Sequence, residues 1–328
     1  MQDPHDAVVP ADADNASDLG DGYESSTLTS LRSSILENQL ENGRTYHSLS
    51  AGKYNYPNDD RENDRLDLQH RIWIICFDGD LALNPGHKTA KRVLDIGTGT
   101  GLWAIDYADA FPSAEVIGVD LSPIQPGWTP PNCSFEIDDL EKPWTWTKPF
   151  DFIMCRGMAG CFADVPAMIR KFYDNLTPGG WFEIDDLALP LGCDDGTLTK
   201  DSALWRWHDA VSQASEKLGR PLVSMSTHLD AIKAAGFVDV EFREFKWPLN
   251  SWPKDARLKE LGSWQCNNLD MGLEGLSLAL LTRALDWSQE EVLALCALAR
   301  KDLRNRSIHA YWRVHCVYAK KPHDEKEA

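Results

Sequence analysis

The chain has 328 residues, 33 Lys plus Arg against 51 Asp plus Glu, and a formal net charge of −18. Apolar residues make up 43% and charged residues 26%, an ordinary globular composition with length enough for one large α/β domain or two smaller ones. The acidic balance excludes a protein that grips nucleic acid or an anionic membrane through a basic face, and no apolar stretch is long and charge-free enough to span a bilayer.

The first 24 residues hold seven acids (Asp3, Asp6, Asp12, Asp14, Asp18, Asp21 and Glu24) and no Lys or Arg. With almost nothing apolar to bury, this segment is expected to be a disordered acidic tail. Met1 to Gly22 has neither the basic nor the apolar region of a secretory signal, so the expected location is the cytoplasm, with the nucleus as an alternative. Leu31, Ile35 and Leu40 recur at near-helical spacing, with Ser30 as a cap and Gly43 as a stop, and predict a first helix. Arg44 to Asn58 carries Tyr46, Tyr54 and Tyr56 without a period and reads as an ordered loop. Asp59 to Phe77 opens with acids and continues with Leu66, Ile72 and Ile75, which predicts a second helix.

From Arg92 the pattern alternates. Strands are predicted at Arg92–Ile96, Glu115–Val119, Cys133–Ile137, Asp151–Cys155 and Trp181–Ile184. Helices are predicted at Gly101–Phe111 and from about Asp164 to Leu176, ahead of the turn Pro178-Gly179-Gly180. Such alternation implies a mostly parallel sheet wrapped by helices on both faces. Two later strands, Val238–Phe245 and Ala310–Tyr318, bring the sheet to seven. About 65 residues of helical pattern separate them, too many for a plain connection, and predict a lid or substrate-binding insertion. From Pro322 the tail is charged and expected to fray. The eight cysteines are scattered without a Cys-x-x-Cys pair and are expected as reduced, mostly buried thiols.

The most informative stretch is Val93-Leu-Asp-Ile-Gly-Thr-Gly-Thr-Gly-Leu102. A strand runs into Gly97, Gly99 and Gly101, with Thr98 between them, and a helix follows. Glycines let the backbone turn sharply and let a ligand approach, and the helix N-terminus adds a positive end. The spacing is Gly-x-Gly-x-Gly, not the Gly-x-Gly-x-x-Gly of dinucleotide sites, which disfavours a nicotinamide-dependent oxidoreductase. Asp95 stands where a carboxylate meets a ligand ammonium. Asp120, nineteen residues past Gly101, ends the second strand, next to Leu121, and can accept from both hydroxyls of a ribose. A nucleoside carrying an amino acid and no pyrophosphate satisfies all three features, and S-adenosylmethionine is such a molecule. Asp138, Asp139 and Leu140 close the third strand beside the adenine position. Asp138 is favoured for the exocyclic amine, and Asp139 could equally be a surface charge. Arg156, after the fourth strand, suits either the cofactor carboxylate or a structural acid.

Three segments carry a family resemblance: Val93–Gly101, then Val119-Asp-Leu-Ser-Pro-Ile-Gln-Pro126, then Pro178-Gly-Gly-Trp-Phe-Glu183. Together they resemble class I S-adenosylmethionine-dependent methyltransferases. Gly43-Arg-Thr-Tyr-His47, Lys53-Tyr54, Leu102-Trp-Ala-Ile-Asp106 and Ile308-His-Ala-Tyr311 extend the likeness to the fungal LaeA-type enzymes, which are linked to secondary metabolism and the velvet complex. The resemblance spans roughly residues 28 to 322. It implies a Rossmann-like fold with an acidic tail over 1–27, an N-terminal helical cap over 28–87 and a methyltransferase domain over 88–322. The helical insertion falls at about 247–306, and a second tail covers 323–328. It also implies contacts to S-adenosylmethionine from Asp95, the glycine loop, Asp120 and the Asp138–Leu140 corner.

The substrate expected is a small molecule. Velvet-type protein partners and protein or self-methylation form the alternative, although the acidic N-terminus lacks the basic run of a nuclear import signal. Methyl transfer from a sulfonium asks chiefly for alignment and exclusion of water, so a general base is optional. The weak candidates for one are Tyr54 and His70. Tyr46, Tyr54, Trp205, His208 and Trp264 are candidates for the substrate pocket, each competing with an ordinary packing role. No spacing of metal ligands is present, and no metal is expected.

Overall fold

The computed structural model describes residues 38–323. The predicted tails and the start of the predicted first helix lie outside that range. The described end of that helix is instead a β-hairpin, in which β1 (Gln39–Glu41) pairs antiparallel with β2 (Arg44–Tyr46). Asn42 and Gly43 join the strands with φ of 49° and 74°, the two positive dihedrals of a tight hairpin turn. Leu40, read as a helical core residue, is 76% exposed. The Asn-Gly pair outweighs a weak helical spacing because it supplies backbone dihedrals that other residues resist.

A loop leads to α1 (Asp60–Cys76), whose N-cap Asp59 accepts from the Glu62 amide at 3.1 Å. Arg44 reaches the same carboxylate at 2.8 Å, which ties the hairpin to the head of the helix. The predicted 28–87 cap is thus, over its described part, a hairpin, a strap and one long helix.

The sheet has seven strands: β3 (Arg92–Ile96), β4 (Glu115–Asp120), β5 (Cys133–Ile137), β6 (Phe150–Arg156), β7 (Leu176–Gly192), β8 (Val238–Pro248) and β9 (Tyr311–Lys320). Their order is β5-β4-β3-β6-β7-β9-β8. The first five run parallel, and β9 pairs antiparallel with both β7 and β8. Successive strands go one way from β3 and the other way from β6, so a crevice opens at the carboxyl ends of that central pair. The parallel strands read as nearly continuous apolar runs because helices cover both faces. Those helices include α2 (Leu102–Ala110), α3 (Val165–Asn175), α4 (Ala203–Lys217) and α5 (Leu229–Ala234).

The strand expected at Trp181–Ile184 is much longer. β7 starts at Leu176 and absorbs Pro178-Gly179-Gly180 as an irregular register against β6, and β9 then extends it to Gly192. The insertion between β8 and β9 forms α6 (Ala256–Gly272), α7 (Leu278–Leu285) and α8 (Gln289–Leu303). It does not stand apart. Leu269, Leu281 and Cys296 of the insertion share one buried cluster with Trp73 of α1 and Trp207 of α4. All eight cysteines are free thiols, six of them buried.

Candidate active site

One cavity of about 240 Å³ begins at the crevice and runs under α1 to the insertion. The loop after β3 forms its floor. Gly97 has φ +67°, a backbone conformation that favours glycine, and a Cβ there would displace the Met158 side chain. Asp95, at the end of β3, is buried and accepts from the Thr98 hydroxyl at 2.6 Å. Burial pushes its carboxyl up to about 6, against the downward pull of that hydrogen bond.

Asp120 stands at the end of β4. Its two oxygens accept from the Gly99 and Ser122 amides, each at 2.9 Å, which holds the carboxylate at the loop and leaves further lone pairs for a ligand. Leu121, Asp138, Leu140, Thr98 and Gly99 complete this side of the wall. Asp138 is exposed, whereas Asp139 is buried and takes Lys53 Nζ at 2.6 Å and Ser50 Oγ at 2.8 Å. Asp139 is therefore not a surface charge. It clamps the strap before α1 across the third strand's corner.

Gly101, expected to touch a ligand, does not line the cavity. Its φ is +83°, and a Cβ there would fall 2.4 Å from the Phe135 ring, so this glycine serves helix–sheet packing at the N-cap of α2.

Arg156 and His70 act as a pair. Arg156 Nη2 lies 2.7 Å from His70 Nδ1, and His70 Nε2 lies 2.9 Å from Asp106 Oδ2. A guanidinium only donates, so Nδ1 must be the acceptor and the ring proton sits on Nε2, directed at Asp106. Burial lowers the His70 pKa and favours this neutral form. With both nitrogens engaged, His70 has no free lone pair to act as a base. Arg156 Nη1 is buried without a partner, and Asp95 is the strongest opposing charge acting on Arg156.

Tyr54 lines the cavity and meets Tyr56 edge to face at 5.1 Å. Burial drives the Tyr54 pKa well above that of free tyrosine, so its phenol stays protonated at neutral pH and is not a base.

The far end of the cavity departs most from sequence expectation. Tyr46, Trp205, His208 and Trp264 are absent from its lining. Tyr46 is buried under the Arg283 guanidinium, His208 accepts from the Leu191 amide at 3.3 Å, and Trp264 is 36% exposed on the outer side of α6. Trp73, Trp207, Leu269, Leu276 and Trp312 form the wall instead, with a polar strip of Arg65, Gln69, Gln265 and Asn268. Residues 65 and 268 are brought together by the packing of α1 on α6, and no local pattern announces that contact. The one sequence signal was the presence of polar residues at Gln265 and Asn268 on the apolar stripe of α6.

The residues fit a nucleoside with an amino-acid tail. Glycines clear the floor, Asp120 faces the ribose position, Asp95 is an anion for an ammonium, and Arg156 Nη1 is an unpartnered donor for a carboxylate. A crevice at the reversal of strand order with these groups defines a class I methyltransferase site.

Comparisons with known proteins agree. A methyltransferase-domain profile matches residues 75–241. Methyltransferase pytC of Aspergillus terreus is 42% identical over 299 residues, covering 91% of this chain and 92% of its own. Secondary metabolism regulator LAE1 of Cochliobolus heterostrophus is 38% identical, covering 87% and 95%. Protein-methionine methyltransferase laeA of Emericella nidulans is 35% identical, covering 86% and 76%. The chain belongs to this family of S-adenosylmethionine-dependent methyltransferases related to fungal secondary metabolism, and the oxidoreductase alternative is set aside.

Proposed function

We propose that the protein methylates a small molecule of secondary metabolism, with the acceptor held between α1, α4 and α6. The observation that carries this reading is the continuity of the cavity. The glycine loop and Asp120 share one continuous cavity with Trp73, Trp207 and Trp312, which places the cofactor and a compact apolar acceptor end to end under the strap. S-adenosylmethionine, when bound, supplies an electrophilic methyl on a sulfonium.

The residues of the chain do the rest. Asp120 accepts from the ribose hydroxyls, and Asp138 from the adenine amine. Asp95 faces the ammonium, and Arg156 Nη1 donates to the carboxylate. His70, locked by Asp106, acts as a positioning residue that keeps Arg156 aimed. Tyr54 and Tyr56 offer ring faces to a sulfonium and help exclude water. No group of the chain is assigned as a general base, since alignment alone accounts for most of an in-line transfer. In domain terms the hairpin, strap and α1 are the cover, and α6–α8 are the wall of the acceptor chamber.

A second reading is favoured by two relatives, one named a secondary metabolism regulator and the other a protein-methionine methyltransferase. In that reading the acceptor is a protein, and velvet-type partners carry the effect. One experiment separates the two. The protein is incubated with methyl-labelled S-adenosylmethionine and a native cell extract, and the products are divided into small-molecule and protein fractions. Label in small molecules is expected. Label confined to protein overturns the small-molecule reading in favour of the second. Absence of S-adenosylhomocysteine binding by calorimetry overturns both.

A further inference from the structure

The polar strip at the far end of the cavity has a fixed polarity. Arg65 and Glu62 form a buried ion pair, with Nε and Nη2 of the arginine 2.9 and 2.8 Å from the same carboxylate oxygen. Nη1 of Arg65 then donates to Gln69 Oε1 and, at 3.0 Å, to Asn268 Oδ1. Because a guanidinium cannot accept, it dictates which end of each amide faces it. The Asn268 amine is turned outward and donates to Gln265 Oε1 at 3.1 Å. The chain of hydrogen bonds therefore ends in two amine groups, Gln69 Nε2 and Gln265 Nε2. Gln69 Nε2 is the atom nearest Gly157 on the cavity wall, 3.7 Å from where a Cβ would stand, and Gln265 is 1% exposed.

The unpartnered atoms point the same way. Among the described residues, the buried polar side-chain atoms that lack a partner and belong to the cavity wall are Arg156 Nη1 and Trp312 Nε1, and both are donors. The carboxyl on this side, Asp186, accepts from the Leu187 amide at 2.9 Å, and burial pushes it up to about 7. The charge of Arg65 is cancelled by Glu62. The acceptor chamber is thus largely apolar, with one carboxyl group and several N–H groups that lack an oxygen.

We infer that the acceptor is a flat apolar molecule bearing carbonyl or enol oxygens, read by Gln69 Nε2, Gln265 Nε2 and Trp312 Nε1. The inference rests on the methyl-transfer reading for the side on which the acceptor sits. A hydrocarbon would leave buried donors unmatched, a costly arrangement.

The test is calorimetry on the full chain saturated with S-adenosylhomocysteine, using two probes that differ at one position. They are ortho-hydroxybenzophenone and ortho-benzylphenol, in which methylene replaces the carbonyl. The ketone is expected to bind roughly tenfold more tightly than the methylene analogue, the scale of one buried hydrogen bond. Trp312→Phe keeps a ring and removes one donor, and Gln265→Leu removes another. Each is expected to narrow the preference for the ketone while leaving S-adenosylhomocysteine affinity unchanged. Gln265→Glu, which turns the terminal donor into an acceptor, is expected to erase the preference for the ketone. Equal binding of ketone and methylene probes to the wild type, or binding of neither to the loaded protein, overturns the inference. Failure of the wild type to bind S-adenosylhomocysteine is a failure of the methyl-transfer reading instead.

Discussion

The two ends of the cavity are built in different ways. The cofactor end is made of strand termini. Asp95, Gly97, Asp120 and Asp138 come from the ends of three adjacent parallel strands, and backbone amides hold two of the carboxylates in place. The acceptor end is made of helix side chains. Arg65 and Gln69 come from α1, Asn268 and Gln265 from α6, and hydrogen bonds join all four beside Trp207 of α4. Strand ends give a frame on which a carboxylate can be replaced without disturbing the sheet. A network buried between helices gives specificity only while every member is satisfied. Substitutions at the first end are therefore expected to cost binding, and substitutions at the second to cost stability.

The largest expected effect tests the second half of that statement. Arg65→Leu leaves Glu62, which is 1% exposed, as an unpaired buried carboxylate. It should cost about 3–5 kcal/mol in denaturant unfolding, and the double substitution with Glu62→Leu should recover most of the loss. A single variant of wild-type stability would break the contrast between the two ends.

Asp120→Ala addresses the first half. It removes the acceptor for two ribose hydroxyls and loosens the Gly99 amide, and should weaken S-adenosylhomocysteine by roughly 100-fold in calorimetry, on the scale of charge-assisted hydrogen bonds. The thermal midpoint should move far less than in Arg65→Leu.

Asp95 sharpens the electrostatics of the same end. Burial holds its carboxyl at about 6, so below that pH the free protein carries a proton there. An ammonium can pair only with the carboxylate, so binding must expel that proton. Affinity for S-adenosylhomocysteine should therefore fall about tenfold per pH unit below pH 6 and be flat above it. Asp95→Asn should abolish the slope. The smallest effect is reserved for Trp264→Ala, outside the cavity on α6. It should change ligand affinity less than about twofold in calorimetry, because the side chain lies outside the cavity.

The cofactor end was largely legible in advance. A short apolar run, a glycine turn and an acid nineteen residues on are local features, and strand-end geometry follows from them. Even there, Gly101 was misplaced, because a ring from the neighbouring β5, that of Phe135, and not a ligand, demands its missing Cβ. Asp138 is favoured by the sequence for the adenine amine, and the alternative of a surface charge for Asp139 fails because Lys53 and Ser50, more than 80 residues earlier, bind it. His70 could be named as a titratable group near the site. Its role as a locked acceptor for Arg156 appears only when both are seen together with Asp106. At Asn42-Gly43 the turn dipeptide is a stronger local signal than the helical spacing of the residues around it.

The amino-acid sequence determined the parallel sheet, the helices that cover it and the glycine loop with its flanking acids, because periodicity and glycine turns act over a few residues and need no distant partner. The acceptor chamber was decided by tertiary structure. Helix α6 presents Gln265 and Asn268 to Arg65 across a separation of about 200 residues, and candidates of the right type, Trp205, His208 and Trp264, lie on faces that point elsewhere. Which face of a helix meets which neighbour depends on how whole elements pack, and that information is spread over the entire buried cluster, with no single motif to carry it.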